Sequence, residues 1–176
     1  MVLLMVASGS AGDAMALGEA MIVAGVGCRR GASAAEIEAA IAAAVALAGF
    51  ATAAIDAVAT STAKRDETGI AAAAAALGVR LVLVPQRELE TAGSRVVTRS
   101  QRVAALTGVP SLAEAAALAA GGAAARLIVP RVVVGAATCA LASACLGKVD
   151  TGFPARTCAT QNEVERIPFP LKRDAL

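Results

Sequence analysis

The sequence predicts an α/β fold: a three-layer α/β/α arrangement around a mostly parallel, partly mixed sheet. Three observations carry this. Short apolar runs at 21–26, 55–60 and 80–84 alternate with alanine-rich helical patterns, the order that builds parallel βαβ units. The helical patterns close at glycine, at Gly49, at Gly78 and at Gly121-Gly122, where a chain leaves a helix through a left-handed residue. Two further apolar runs, 126–134 and 136–144, stand one glycine apart at Gly135. That spacing signals a hairpin, so part of the sheet is antiparallel.

Residues 1–19 read as an N-terminal extension with no assigned function. Their apolar start lacks a positively charged segment before it, and Asp13 and Glu19 follow soon after, which argues against a signal peptide. Residues 20–147 form the predicted domain. The first strand is 21–26. The helix over 34–48 has its apolar face at Ile37, Ile41, Val45 and Leu47, with Glu36 and Glu38 near its positive end. The second strand, 55–60, runs into the polar segment Thr60-Ser61-Thr62-Ala63-Lys64-Arg65-Asp66-Glu67. A helix over 68–77 and a strand over 80–84 follow, the latter closed by Pro85. Residues 86–90 suit a helical turn. The basic stretch 93–102 reads as a loop or as the start of a short helix reaching Leu106. The helix over 112–120 begins at Ser111, which with Glu114 spells a capping box. Pro130 marks an edge position or a bulge in the run 126–134. Residues 148–176 read as a polar tail packed on the surface.

The stretch Gly25-Val26-Gly27-Cys28-Arg29-Arg30-Gly31-Ala32-Ser33 joins the first strand to its helix. Its glycines permit positive φ and close approach of the backbone to a ligand. Ser33 and Glu36 form a capping box, so a helix N-terminus with free amides lies beside two guanidinium groups. An anion site for a carboxylate or phosphate is one reading. A tight turn with two solvated arginines is the other. The glycines are spaced G-x-G-x-x-x-G, which is not the dinucleotide fingerprint, and no phosphate-loop G-K-[ST] follows.

Composition narrows the function. The chain is 57% hydrophobic but only 2% aromatic, with no histidine and a net charge of +2. Small charge and scarce aromatic rings argue against nucleic acid as partner. The lack of histidine removes the commonest general base and metal ligand. None of Cys28, Cys139, Cys145 and Cys158 forms a C-x-x-C pair, so neither a metal site nor a cofactor is expected. Scattered thiols suit a reducing, cytoplasmic setting. The run 39–55 is uncharged over about 17 positions, the lower limit for a span. Being mostly alanine and broken by Gly49, it reads as a buried helix, and no membrane association is expected.

The stretch 25–37, Gly-Val-Gly-Cys-Arg-Arg-Gly-Ala-Ser-Ala-Ala-Glu-Ile, resembles the opening of the CobE family and of the C-terminal domain of CbiG. The similarity continues at Ala59-Thr-Ser-Thr-Ala-Lys, Glu67-Thr-Gly, Thr107-Gly-Val-Pro-Ser-Leu-Ala-Glu and Arg126-Leu-Ile-Val-Pro, in order along the chain. It implies an α/β/α domain in cobalamin biosynthesis that binds an anionic precorrin-type intermediate. CbiG-like proteins are associated with opening the ring-A lactone of cobalt-precorrin-5A and releasing acetaldehyde. CbiG carries additional sequence before this domain, whereas CobE stands alone. A nucleotide- or phosphate-binding module remains a third reading, resting on the glycine turn.

The expected partner is therefore a tetrapyrrole, with other enzymes of the pathway as further candidates. Gly25, Gly27, Cys28, Arg29, Arg30, Ser33, Thr60, Ser61, Lys64 and Ser111 are the candidate binding residues. Cys28 and Glu114 are the candidate catalytic groups, since a helix N-terminus and Arg29 favour a thiolate. Each has a structural alternative: turn filler for Cys28, helix caps for Ser33, Ser111 and Glu114. Arg95, Arg99 and Arg102 read as a solvated basic face available to a carboxylate-rich ligand or an acidic partner. Cys139, Cys145 and Cys158 read as incidental thiols.

Overall fold

The computed structural model describes residues 21–144. The predicted extension, the tail, Cys145 and Cys158 lie outside the described residues. Five strands form one sheet: β1 (Met21–Cys28), β2 (Ile55–Ser61), β3 (Arg80–Val84), β4 (Arg126–Val134) and β5 (Ala137–Ala144). Their order is β3-β2-β1-β5-β4. β1 pairs in parallel with β2, and β2 with β3. β5 runs antiparallel to both β1 and β4, so the hairpin at Gly135 makes the sheet mixed.

The described residues also form five helices, α1 (Ala34–Ala48), α2 (Thr68–Ala76), α3 (Gln86–Gly93), α4 (Gln101–Thr107) and α5 (Leu112–Gly121); α1, α2 and α5 pack on the sheet, and α3 packs on α5. β1 is buried along most of its length, as expected of a central strand covered on both faces. Its side chains alternate between two cores. Ala24 and Val26 join Ile37, Ile41 and Ile70 under α1 and α2. Val23 joins Leu89, Leu112 and Leu118 under α3 and α5. With almost no aromatic residues, both cores are filled by aliphatic side chains, each fully buried isoleucine or leucine contributing roughly 1.5–3 kcal/mol. α1 buries Ile37, Ala40, Ile41, Ala44 and Val45. Leu47, expected on this face, is 58% exposed, because the stripe that meets the sheet passes through the alanines instead.

β1 runs two residues further than its apolar pattern suggests, because β5 pairs with it to the end: Gly27 lies opposite Thr138, and Cys28 opposite Ala137. Gly25 and Gly27 are thus strand residues and lack the positive φ expected of them; within the turn only Gly31 has it, at 73°. Gly25 is needed for a different reason. A Cβ there would lie 2.0 Å from the Ala113 carbonyl oxygen and 2.5 Å from the Ala117 nitrogen. The backbone of α5 rests directly on the central strand, so Gly25 is the floor under a helix and not a point of ligand approach.

Candidate functional site

A cleft of about 860 Å³ opens at the carboxyl ends of β1 and β2, where α/β sheets place their ligands. Gly27, Cys28, Arg29 and Arg30 reach it from the end of β1 and the turn beyond, Ser61 and Lys64 from the end of β2. α4 supplies Arg102, Val103, Leu106 and Thr107 on one side, and the β4–β5 hairpin supplies Arg131, Val133 and Thr138 on the other. Five basic side chains therefore face one hollow, and among the described residues no carboxylate lines it. Its lips are apolar: Leu106 is 77% exposed and Val133 61%. Such a surface attracts a molecule that is both anionic and apolar.

The backbone amides of the β1–α1 turn do not contribute as expected. The Gly31 N–H donates to Glu67 Oε2 at 2.9 Å, and the Ser33 N–H to Glu36 Oε2 at 3.0 Å. Ser33 Oγ in turn accepts from the Glu36 N–H, completing the predicted capping box at α1. The chain's own carboxylates thus take two amides of the turn before this helix, and both hold their pKa below 4.5 chiefly through these backbone hydrogen bonds. Glu67 also pairs with Lys64 at 3.4 Å. Ser33 faces a separate hollow of about 520 Å³, lined also by Asp66 and Glu67. The guanidinium groups of Arg29 and Arg30 are exposed; both line the main cleft.

Cys28 lies at the cleft but is not activated. Burial pushes its thiol above 9.0, and Glu67 and Glu36 add to this against the opposing charge of Lys64. The expected lowering fails because burial of the thiol, the largest effect, outweighs the charge of Lys64. Thr60 is fully buried and donates to the Val26 carbonyl at 2.8 Å, tying β2 to β1. Ser61 lines the cleft while its Oγ accepts from the Ala63 N–H.

The predicted capping box at α5 does not form. Ser111 occupies the N-cap position, but its side chain makes no cap bond; Ser111 Oγ is buried with no partner among the described residues. Glu114, fully buried, reaches outward across two neighbouring segments. Its Oε2 accepts from the Val97 N–H at 2.7 Å and the Thr98 N–H at 3.0 Å, and its Oε1 from the Arg131 N–H at 2.9 Å. Burial raises its pKa, but these bonds outweigh burial and leave it below 4.5. Glu114 is a buried staple behind the cleft wall; it does not line the cleft.

The three arginines expected on one basic face separate. Arg95 donates to the carbonyls of Gly122 and Ala125 beyond the end of α5, Arg99 is exposed away from the cleft lining, and only Arg102 lines the cleft. Arg131 and Thr138 also line the cleft and were not among the expected residues. Arg131 had a signal: it is the one charged residue inside the apolar run 127–134. Thr138 had none, because its role depends on the pairing that brings its hydroxyl to the Gly27 carbonyl at 3.0 Å.

Comparison with known proteins gives the arrangement a family. Residues 22–142 match the family described as Cobalamin synthesis G C-terminus. Protein CobE of a Sinorhizobium species is 39% identical over 121 residues, covering 69% of this chain and 79% of that protein. A crystal structure of CobE, described as a protein from the cobalamin (vitamin B12) biosynthetic pathway, superposes with a TM-score of 0.66 at 34% identity, covering 70% of this chain and 90% of that one. Cobalamin biosynthesis protein ChiG from Agrobacterium tumefaciens matches with a TM-score of 0.57 at 44% identity, covering 70% of this chain and 98% of that one. The chain belongs to the CbiG C-terminal family and is a cobalamin biosynthesis protein of the CobE and CbiG type.

Proposed function

We propose that this protein binds an anionic precorrin-type tetrapyrrole in the cleft at the carboxyl ends of β1 and β2. The observation that carries the reading is the lining: Arg29, Arg30, Lys64, Arg102 and Arg131 surround a space of about 860 Å³ with apolar lips. Precorrin-type rings are broad, apolar in their body and edged with carboxylates. Fixed cations meet those carboxylates, while Val103, Leu106, Leu112 and Val133 give the ring an apolar surface to cover. Glycine and alanine at positions 27, 63, 136 and 137 keep the cleft open for a wide ligand.

The reading favours holding the ring over transforming it. Cys28 is a thiol with a raised pKa, and Glu114, the other candidate catalytic group, has both oxygens engaged by backbone amides behind the wall. The test is expression of the chain in cells making pathway intermediates, followed by purification and an absorption spectrum. A coloured tetrapyrrole should stay with the protein, and Arg29→Ala with Arg30→Ala should reduce the amount bound. Colourless protein under conditions where the intermediate accumulates would defeat the proposal. Release of acetaldehyde from added cobalt-precorrin-5A would replace it with the hydrolase reading.

A further inference from the structure

We infer that Arg131 is the specificity-determining anchor of this cleft, the residue that fixes one carboxylate of the bound molecule in place. The inference rests on the reading of the cleft as a site for a polyanionic ring.

The five cations of the cleft are not equivalent. Arg29, Arg30 and Arg102 are exposed, and Lys64 already pairs with Glu67. Exposed groups of this kind draw an anion in but hold it loosely, because water and salt screen them. Arg131 is partly buried, and its Nε is closed off from solvent with no hydrogen-bond partner among the described residues. The shielded Nε shows a guanidinium for which the described residues provide no acceptor. The outer edge of that guanidinium lines a cleft with no lining carboxylate, so a carboxylate of the ligand supplies the acceptor its terminal nitrogens lack. The planar fork of a guanidinium binds a carboxylate through two parallel hydrogen bonds, which sets orientation as well as affinity.

The backbone beneath Arg131 is held for this purpose. In β4, Val129 lies opposite Leu141 and Val132 opposite Cys139, so Pro130 and Arg131 together face the single residue Ala140. This is a bulge, a device that re-aims a side chain. Pro130 has no N–H to lose, and the Arg131 N–H, displaced from the ladder, is taken by the Glu114 carboxylate. Val132 and Val134 pack on the α1 side of the sheet, leaving Arg131 and Val133 on the cleft side. Of the five cations, Arg131 is thus the one on a strand whose backbone is tied to a buried carboxylate.

The test uses uroporphyrin I, a ring with a carboxylate on every arm, titrated by its Soret absorbance at about 50 mM and about 500 mM salt. Arg131→Met should weaken binding by about 10- to 100-fold, the size of a lost hydrogen bond to a charged group. That loss should persist at high salt. Arg29→Met should cost only about threefold at low salt and nothing measurable at high salt. Arg131→Lys, which keeps the charge and loses the fork, should remain at least about fivefold weaker than the parent. If Arg131→Met unfolds, as judged by circular dichroism, Arg131→Lys alone decides. Parent-like binding by Arg131→Lys, or a loss in Arg131→Met that disappears with salt, overturns the inference while leaving the cleft reading standing. Failure of the parent protein to bind uroporphyrin removes both.

Discussion

Replacing Glu114 by glutamine tests whether a buried carboxylate holds the wall of the cleft. The substitution keeps shape and removes one charge and one acceptor. Three backbone amides point at this side chain, Val97 and Thr98 at Oε2 and Arg131 at Oε1. A glutamine can place its single carbonyl oxygen on only one side. Turned toward Val97 and Thr98, it leaves the Arg131 N–H facing an amide NH2, which costs about 1–3 kcal/mol for the orphaned donor. The two bonds that survive lose their charge assistance, roughly 0.5–1.5 kcal/mol each. Glu114→Gln should therefore lower stability by about 2–6 kcal/mol at neutral pH, measured by urea unfolding monitored with circular dichroism. The pH dependence has a definite sign. The folded pKa of Glu114 lies below 4.5, so its contribution is complete above that value. It falls away as pH drops through the lower folded value. The gap between parent and variant should be constant from pH 7 to pH 5 and shrink on further acidification. A gap under about 1 kcal/mol at pH 7, or one that does not change with acid, would refute the staple.

Two further outcomes follow from the packing and the electrostatics. Gly25→Ala should cost upward of about 3 kcal/mol, since its new Cβ meets the rigid backbone of α5 at 2.0 Å; Gly31→Ala, with open space but a φ of 73°, should cost only about 1–2 kcal/mol. Comparable midpoints for the two variants in urea would show that α5 does not rest on Gly25. In a variant with alanine at the other three cysteines, Cys28 should react slowly with iodoacetamide at pH 7 and speed up only above pH 9, because burial and two carboxylates raise its pKa; rapid alkylation at neutral pH would restore it as a nucleophile.

Local signals in the chain matched the structure wherever a single segment decides its own conformation. The helix start at Ser33 and Glu36, the left-handed stop at Gly49 and the hairpin at Gly135 all involve residues within a few positions of one another. Pro130 signalled an edge position or a bulge, and β4 carries both, because a residue without an N–H fits only there. Where two distant segments compete for one group, the local signal misled. Ser111 and Glu114 have the spacing of a capping box, but Val97, Thr98 and Arg131 offer Glu114 three amides in place of one. The free amides of the β1–α1 turn were a sound local expectation until Glu67, 36 positions from Gly31, filled one of them.

From its sequence alone this protein had its five strands, helices α1, α2 and α5, its mixed sheet and its membership in a cobalamin family, because periodicity, turn chemistry and ordered motifs are written along the chain; α3, expected only as a turn over 86–90, runs to Gly93. Tertiary structure alone decided which cations share a cleft. Arg29, Arg30, Lys64, Arg102 and Arg131 come from four separate segments, and only the sheet order and the β4 bulge bring them to one hollow. The same assembly set Cys28 high in pKa chiefly by burying its thiol, and Glu114 low by turning the amides of distant segments onto its carboxylate.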